Sequence, residues 1–523
     1  MTYDAVIIGA GHNGIVTGIY LAKAGWKVLV LERNDRPGGA VRTAEVTLPG
    51  FRHDLFATNL NLFAGSPFYN EFREDLHKEG LEFVNNPNAF GSAFPDGGWL
   101  GVSTDLSATL DGIRKYSPRD AESWSDLLER FKRNAPHLFP LLGAAMPSLK
   151  LVSGMWSGVR ACGLDWLRDT AQLAVSSPRD FLDANFESEE VKSLVAPWGM
   201  HLDFPPDAAG GALICYLETM ADQLNGMVIG RGGCGNLIGA LTGLFKSLGG
   251  ELRCGTEVAG VEVSSGRAAG VRIDDGEVIH ANKAVVANTA PTVLFGKLLG
   301  PDKLPGRFND RVRKYRYGPG AMMIHAALSD LPGWTGGEGL KKFMYVHLAP
   351  CLGDMARTYV EAMSGLLPSS PMLVVGQPTA VDPSRAPDGR HVLWIMVRSL
   401  PAEVNGDARR EIDGRDWDDI KEVYADRVMD KLAEYAPDIK SKVLARTVLS
   451  PKDLERSNPN LVGGDSVCGS HHLYQNYFMR PFPGWSRYKT PIKNLYMVGA
   501  ATWPGAGTGA GSGRLLGKML TRA

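Results

Sequence analysis

The chain predicts an α/β fold in which a parallel dinucleotide-binding unit opens the polypeptide and other material is inserted into it. Three observations carry this. The apolar run Val6-Ile7-Ile8 leads directly into Gly9-Ala10-Gly11-His12-Asn13-Gly14. A helix-like segment then reaches Ala24, Gly25 closes it, and a second apolar strand from Lys27 ends on Glu32. Near the far end, Leu495 to Gly499 is another apolar strand, followed by a glycine-rich loop and a last helix.

In the opening unit each residue type has a task. Three consecutive apolar residues suit a strand buried on both faces. Gly9 permits the tight turn, Gly11 lets backbone approach a pyrophosphate, and Gly14 allows the helix to pack on the strand. The helix presents free N–H groups and the positive end of its dipole to phosphates. Glu32, at the end of the second strand, is placed to accept hydrogen bonds from ribose hydroxyls. A glycine motif alone is weak in a chain with 62 glycines, but here strand, helix, strand and acid stand in register. The motif does not separate FAD from NAD.

From Pro67 to about Asn225 helical periodicity dominates, as in Ala121 to Arg133 and Asp180 to Leu194. Residues 135–167 are unusually apolar, and Pro140 and Pro147 are expected to divide them into short helices. This stretch reads either as core and access channel or as a surface resting on a membrane. Lys150 and Arg160 are few for a basic amphipathic anchor, which favours core and channel. Gly230 to Gly235 then opens a helix, Asn236 to Leu248. It reads as a second dinucleotide site or as a turn and helix packed within the first domain. The short Met227-Val228-Ile229, and a next strand that begins with Glu251, favour the latter, with Val258 on a strand near the adenine. Further strands are expected at 251–254, 257–263, 268–273, 277–281 and 284–288, with Asp275-Gly276 as a hairpin turn. Strands at 322–328, 372–377 and 392–398 mark a mixed α/β region. The expected organisation is one nucleotide domain written in three pieces (1–66, 226–295, 485–523), a mainly helical lid (67–225) and a mixed α/β substrate domain (296–484).

Composition excludes several classes. Fifty-six basic residues against 57 acidic ones leave a net charge of −1, with no signal for nucleic acid. The six cysteines are dispersed without a CxxC, which argues against a disulfide framework, a redox disulfide and a metal site. No signal peptide and no long apolar span are visible, so cytoplasmic residence is expected, with peripheral membrane contact left open.

The glycine motif, Glu32 and the Gly38-Gly39 pair together resemble the FAD-binding pattern of amine oxidases and phytoene desaturases. The likeness extends along Gly50-Phe51-Arg52-His53-Asp54, Gly232 to Leu237 and Gln475 to Pro481. It ends in Tyr488 to Pro491, Leu495 to Ala500 and Pro504 to Gly507. The combination is most similar to the phytoene dehydrogenase-related family, in particular the branch of the pyridine nucleotide-disulfide oxidoreductase domain 2 proteins. The resemblance implies a Rossmann-type FAD domain with an inserted α+β substrate domain. Its FAD contacts would come from Gly9, Gly11, Gly14, Glu32, Gly39, Arg42, Val258 and the loop Gly499, Ala500, Pro504, Gly505, Ala506 and Gly507. The last helix would direct its N-terminus at the pyrimidine side of the flavin, favouring the reduced form by about 0.3–1 kcal/mol. The implied activity is dehydrogenation of a small hydrophobic molecule by hydride transfer to flavin, with O2, a quinone or another acceptor reoxidising it. A flavin amine oxidase acting on a C–N bond is the first alternative, although no aromatic pair of the kind that walls such sites is identified. A flavin-loaded protein with mainly an interaction role is the second.

Two positions depart from the family pattern. Ala40 stands where many relatives carry Arg, with Arg42 as a substitute, and Trp503 occupies a position often held by His in carotenoid desaturases. His471 and His472 are the candidates for proton transfer, against a plain surface-loop role. Arg480 is the candidate for pairing with a carboxylate or the electron-rich flavin, against anchoring a loop. His53 and Asp54 read as a structural hydrogen-bonded pair.

Overall fold

The computed structural model describes residues 2–522. Two seven-stranded sheets organise them. The first begins with β1 (Thr2–Ile8), α1 (His12–Lys23) and β2 (Val28–Leu31). It continues with β3 (Glu251–Arg253), β4 (Val258–Ser264), β5 (Arg267–Ile273), β6 (Val278–Ala287) and β7 (Leu495–Met497). The order is β4-β5-β6-β1-β2-β3, with β7 beside β6. β6 changes partner along its length: His280 lies opposite Gly270 of antiparallel β5, and Val285 opposite Leu495 of parallel β7. β1 is central, with Ile8 level with Leu31 on one side and Ala287 on the other. Helical material covers both faces, which is why its apolar residues run on without alternation.

α1, the helix Gly235–Ser247 and the closing helix Gly511–Leu520 pack on one face. The closing helix approaches α1 through two glycines. A Cβ at Gly513 would stand 2.4 Å from Asn13 O, and one at Gly517 2.7 Å from the Tyr20 Cβ. Met227–Gly230 is a strand, but it pairs with Phe83–Asn86 in a separate ribbon. The glycine turn after it therefore does not open a second dinucleotide sheet.

The second sheet runs Val443–Leu449, Gly320–Leu328, His391–Leu400, Met372–Gly376, Tyr345–Leu348, Asn88–Ala93 and Trp99–Ser103. Two of its strands come from the region read as helical. Asn88–Ala93 contains Asn, Gly, Ser and Ala in place of β-branched residues, so its strand character has no local signal. One face of the sheet packs on the helix Trp417–Tyr435, and the other meets a helical layer built from residues 118–225.

That layer corrects two expectations. The helix Pro118–Leu142 runs through Pro136 and Pro140. Each internal proline typically costs about 3 kcal/mol, offset here by burial of Phe131, Leu138 and Leu141. The helix Leu149–Cys162 is not core, since Gly158 is its one buried residue, while Leu149 is 89% and Trp156 65% exposed.

Candidate functional site

A cleft opens at the carboxyl ends of β1 and β2. Gly9, Gly11, Glu32, Gly39 and Val258 line it together. Glu32 is held in place by the glycine turn and by its own loop: its Oε2 accepts the Ala10 N–H at 2.9 Å and its Oε1 the Asn34 N–H at 3.0 Å. Gly9 has φ 93°, a conformation that favours glycine. Gly14 lies behind the cleft, where a Cβ would stand 2.4 Å from Gly9 O. A turn stripped of side chains, with a carboxylate fixed at the next strand end, fits the adenosine and pyrophosphate half of FAD. Arg42 is not part of the lining; its Nη1 donates to Ser457 Oγ at 3.4 Å.

Sequence reasoning missed the further polar residues of the lining, Thr256, Asn288, Lys297, Asn458 and Asn460. Asn288 Nδ2 donates to Gly9 O at 3.2 Å, and Asn460 Nδ2 donates to Asn288 O. An asparagine directly after the apolar strand Ala284 to Ala287 was the one signal that could have found them.

The loop between β7 and the closing helix is tied from several directions. Gly499 N–H donates to Ser512 Oγ, and Asn13 Oδ1 accepts the Gly513 N–H. His471 is buried, and its Nε2 accepts the Ala506 N–H at 3.1 Å. A Cβ at Gly505 would stand 2.6 Å from that nitrogen. Burial, and then the nearby charge of Arg480, hold the His471 ring well below the usual histidine range. Its one lone pair is engaged, so the arrangement is that of a loop support and not of a free base. His472 donates from Nε2 to Asp203 O at 2.6 Å.

Arg480 is fully buried and gives its guanidinium to main-chain oxygens, among them Ser470 O at 3.0 Å and Ala500 O at 2.8 Å. It thereby joins the 467–470 segment to the glycine loop, as an anchor of that loop. His53 and Asp54 do not bond each other. His53 pairs with Thr47 Oγ1, and Asp54 with Arg385.

The sheet face under the helical layer holds a second group of residues. Tyr345 and Trp394 stack at 5.5 Å with 16° between planes, an aromatic pair that no local sequence signal announces. His325 lies 5.4 Å from His53. Burial pushes His53, His325 and His347 down to about 3, 4 and 3, so all three are neutral. Among the described residues no cluster of His, Cys, Asp or Glu could hold a metal ion.

Comparison with known proteins agrees with this architecture. The family model for flavin containing amine oxidoreductase matches residues 14–511. The chain is 30% identical to pyridine nucleotide-disulfide oxidoreductase domain-containing protein 2 of Mus musculus, over 99% of this chain and 93% of that protein. It is 28% identical to a limonene dehydrogenase subunit of Castellaniella defragrans, over 99% and 94%. Cyclohexylamine oxidase of Brevibacterium oxydans shares the fold with a TM-score of 0.60 at 16% identity, covering 100% of this chain and 99% of that one. Matched along nearly its whole length, and with a nucleotide cleft that suits the cofactor, the chain belongs to the flavin containing amine oxidoreductase family and is an FAD-dependent oxidoreductase.

Proposed function

We propose that this flavoenzyme dehydrogenates a largely apolar small molecule bound between the second sheet and the helical layer. The observation that carries the reading is the apolar, aromatic character of that inter-layer face, with Met323, Tyr345, Met372, Trp394 and Met396 buried along it. Bound FAD supplies the two-electron acceptor. The protein's part is to hold and shield. Glu32 and the glycine turn seat the nucleotide, and the packed layers exclude water. His471 and Arg480 act as positioning residues for the 499–507 loop, His471 carrying its proton on Nδ1 because Nε2 receives the Ala506 N–H. Two similar proteins are named for dehydrogenating limonene and desaturating phytoene, which supports an apolar substrate. Anaerobic titration of the yellow protein tests this. Apolar alcohols, acids or polyenes are expected to bleach the flavin, and bleaching by amines alone would overturn the reading. Readmitting O2 or a quinone to the same cuvette identifies the acceptor.

We also propose that the helix Leu149–Cys162 rests on a membrane surface. Leu149, Val152 and Trp156 fall on one helical face and are exposed, with Leu164 beyond them. No helix among the described residues is long and apolar enough to cross a membrane. Phosphatidylcholine vesicles are expected to sediment the protein. The double variant Leu149→Ser, Trp156→Ser should weaken this roughly tenfold or more, since each large apolar side chain contributes about 1.5–3 kcal/mol when buried. Equal sedimentation of the variant would remove this face from the contact.

A further inference from the structure

Beneath the helical layer lies a group of buried polar side-chain atoms that no described protein atom partners. Its anchor is Arg398, on the strand His391–Leu400. That strand is irregular against Gly320–Leu328: Gly320 pairs with Leu400 but Met322 with Val397, and Ser399 adopts φ 60°. Such an irregularity re-aims the neighbouring side chains, and a left-handed residue other than glycine persists only where its surroundings enforce it. Arg398 Nη1 donates to His201 O at 3.2 Å and Ser466 Oγ at 3.1 Å, while its Nε is buried without an acceptor. Close by, His347 is fully buried with neither ring nitrogen partnered, and His201 Nε2 and Trp198 Nε1 are in the same condition. The three rings touch, with centroids 4.8 Å apart for Trp198 and His201 and 5.5 Å for His201 and His347.

Two acids line the cleft beside Arg398, and both are engaged elsewhere. Asp465 accepts the N–H groups of Gly318, Val467 and Gly469. Asp203 accepts the Tyr359 hydroxyl at 2.9 Å and faces His472 at 3.8 Å. Neither forms an ion pair with Arg398, so the guanidinium Nε and the nearby ring nitrogens of His347, His201 and Trp198 have no carboxylate bound to them. Buried donors are ordinarily satisfied, and a guanidinium matches a carboxylate better than any other partner.

We propose that the substrate carries a carboxylate, seated against Arg398, His347 and His201, with its apolar body along the sheet face. This rests on the apolar-substrate reading above and narrows it to apolar carboxylic acids. A hydrocarbon would leave the donors unpaired, and an ammonium would meet the arginine's charge.

Calorimetric titration of the holoprotein with octanoate, octylamine, octan-1-ol and acetate tests the proposal without any variant. Octanoate is expected to bind at least tenfold more tightly than the amine and the alcohol. Acetate should bind more weakly than octanoate, because it lacks the apolar body. Arg398→Gln should lower octanoate affinity roughly 10–100-fold, the range of a charge-assisted contact, with Arg398→Lys recovering part and FAD content unchanged in both. Equal binding of octanoate and octylamine, acetate matching octanoate, or unchanged affinity in a folded Arg398→Gln protein would each overturn it. Absence of bound flavin from the wild type would count against the function proposed above, while the titration would still decide on the carboxylate.

Discussion

Gly11→Val is expected to yield a folded protein that has lost its flavin. Gly11 has φ −70° and ψ 161°, which any residue adopts, and an added Cβ there meets Asn288 Nδ2 alone, at 3.0 Å. The end of an amide side chain can move, so the strand and helix survive. Gly11 also lines the nucleotide cleft, so the valine methyls occupy the space the pyrophosphate needs. Overpacking of this kind costs about 1–3 kcal/mol, and at the upper end FAD affinity falls roughly 100-fold. Gly14→Val makes the contrast. Its Cβ would stand 2.4 Å from the backbone oxygen of Gly9, and the Asn288 side chain closes the other side. α1 and β1 must then part, and this variant is expected to be insoluble or markedly destabilised. The ratio of bound flavin to protein, read beside the far-ultraviolet dichroism of each variant, separates the two effects. Wild-type flavin content in Gly11→Val would remove Gly11 from the cofactor contact.

How far the chain announced this arrangement depends on how local the information is. β1, α1 and β2 are legible because turn, helix and terminal acid lie within one short run, and each residue type answers a backbone or charge requirement. β7 was legible for the same reason. The second sheet was legible only where a strand is a nearly continuous apolar run, as in Gly320–Leu328 and Met372–Gly376. Asn88–Ala93 and Tyr345–Leu348 owe their state to neighbours distant in sequence. The same holds for side chains. The charge of Arg480 was plain, but its partners are backbone carbonyls, which carry no residue identity. Arg398, His347 and His201 converge through sheet pairing and layer packing, so no spacing rule could have joined them. The apolar stretch 135–167 misled in the opposite sense over its helix Leu149–Cys162, because hydrophobicity reports a wish for burial without saying what does the burying.

Arg385→Met is expected to destabilise the protein by about 3–5 kcal/mol, the usual result of leaving a buried charge without its partner. Arg385 is fully buried and joins three segments: Nη1 donates to Asp54 Oδ2 at 2.5 Å, Nε to Asp382 Oδ2 at 3.2 Å and Nη2 to Gly230 O at 2.7 Å. Asp54 in turn accepts the Thr43 and Thr58 hydroxyls and the Cys234 N–H. The ribbon that pairs Thr43–Ala44 with His53–Asp54, the 230–235 turn and the substrate-domain turn at 382–385 thus meet on one guanidinium. The loss also has a predicted pH dependence. Burial alone would raise the Asp54 pKa, but Arg385 and then the Thr43 hydroxyl outweigh it and hold the carboxyl below its usual value. A depressed pKa means that Asp54 contributes stability fully above the unfolded value of about 3.9 and loses it as pH falls. Without Arg385, burial dominates, the pKa rises, and the carboxyl takes up a proton at higher pH than in the wild type. The gap between variant and wild type should therefore narrow on moving from pH 8 to pH 5. Asp54→Asn in the Arg385→Met background should recover part of the loss at pH 8, because it removes one of the stranded charges. Thermal melting of the holoproteins at both pH values measures this, and a gap that is absent or unaffected by pH would show that the three segments are held together by packing and not by the buried ion network.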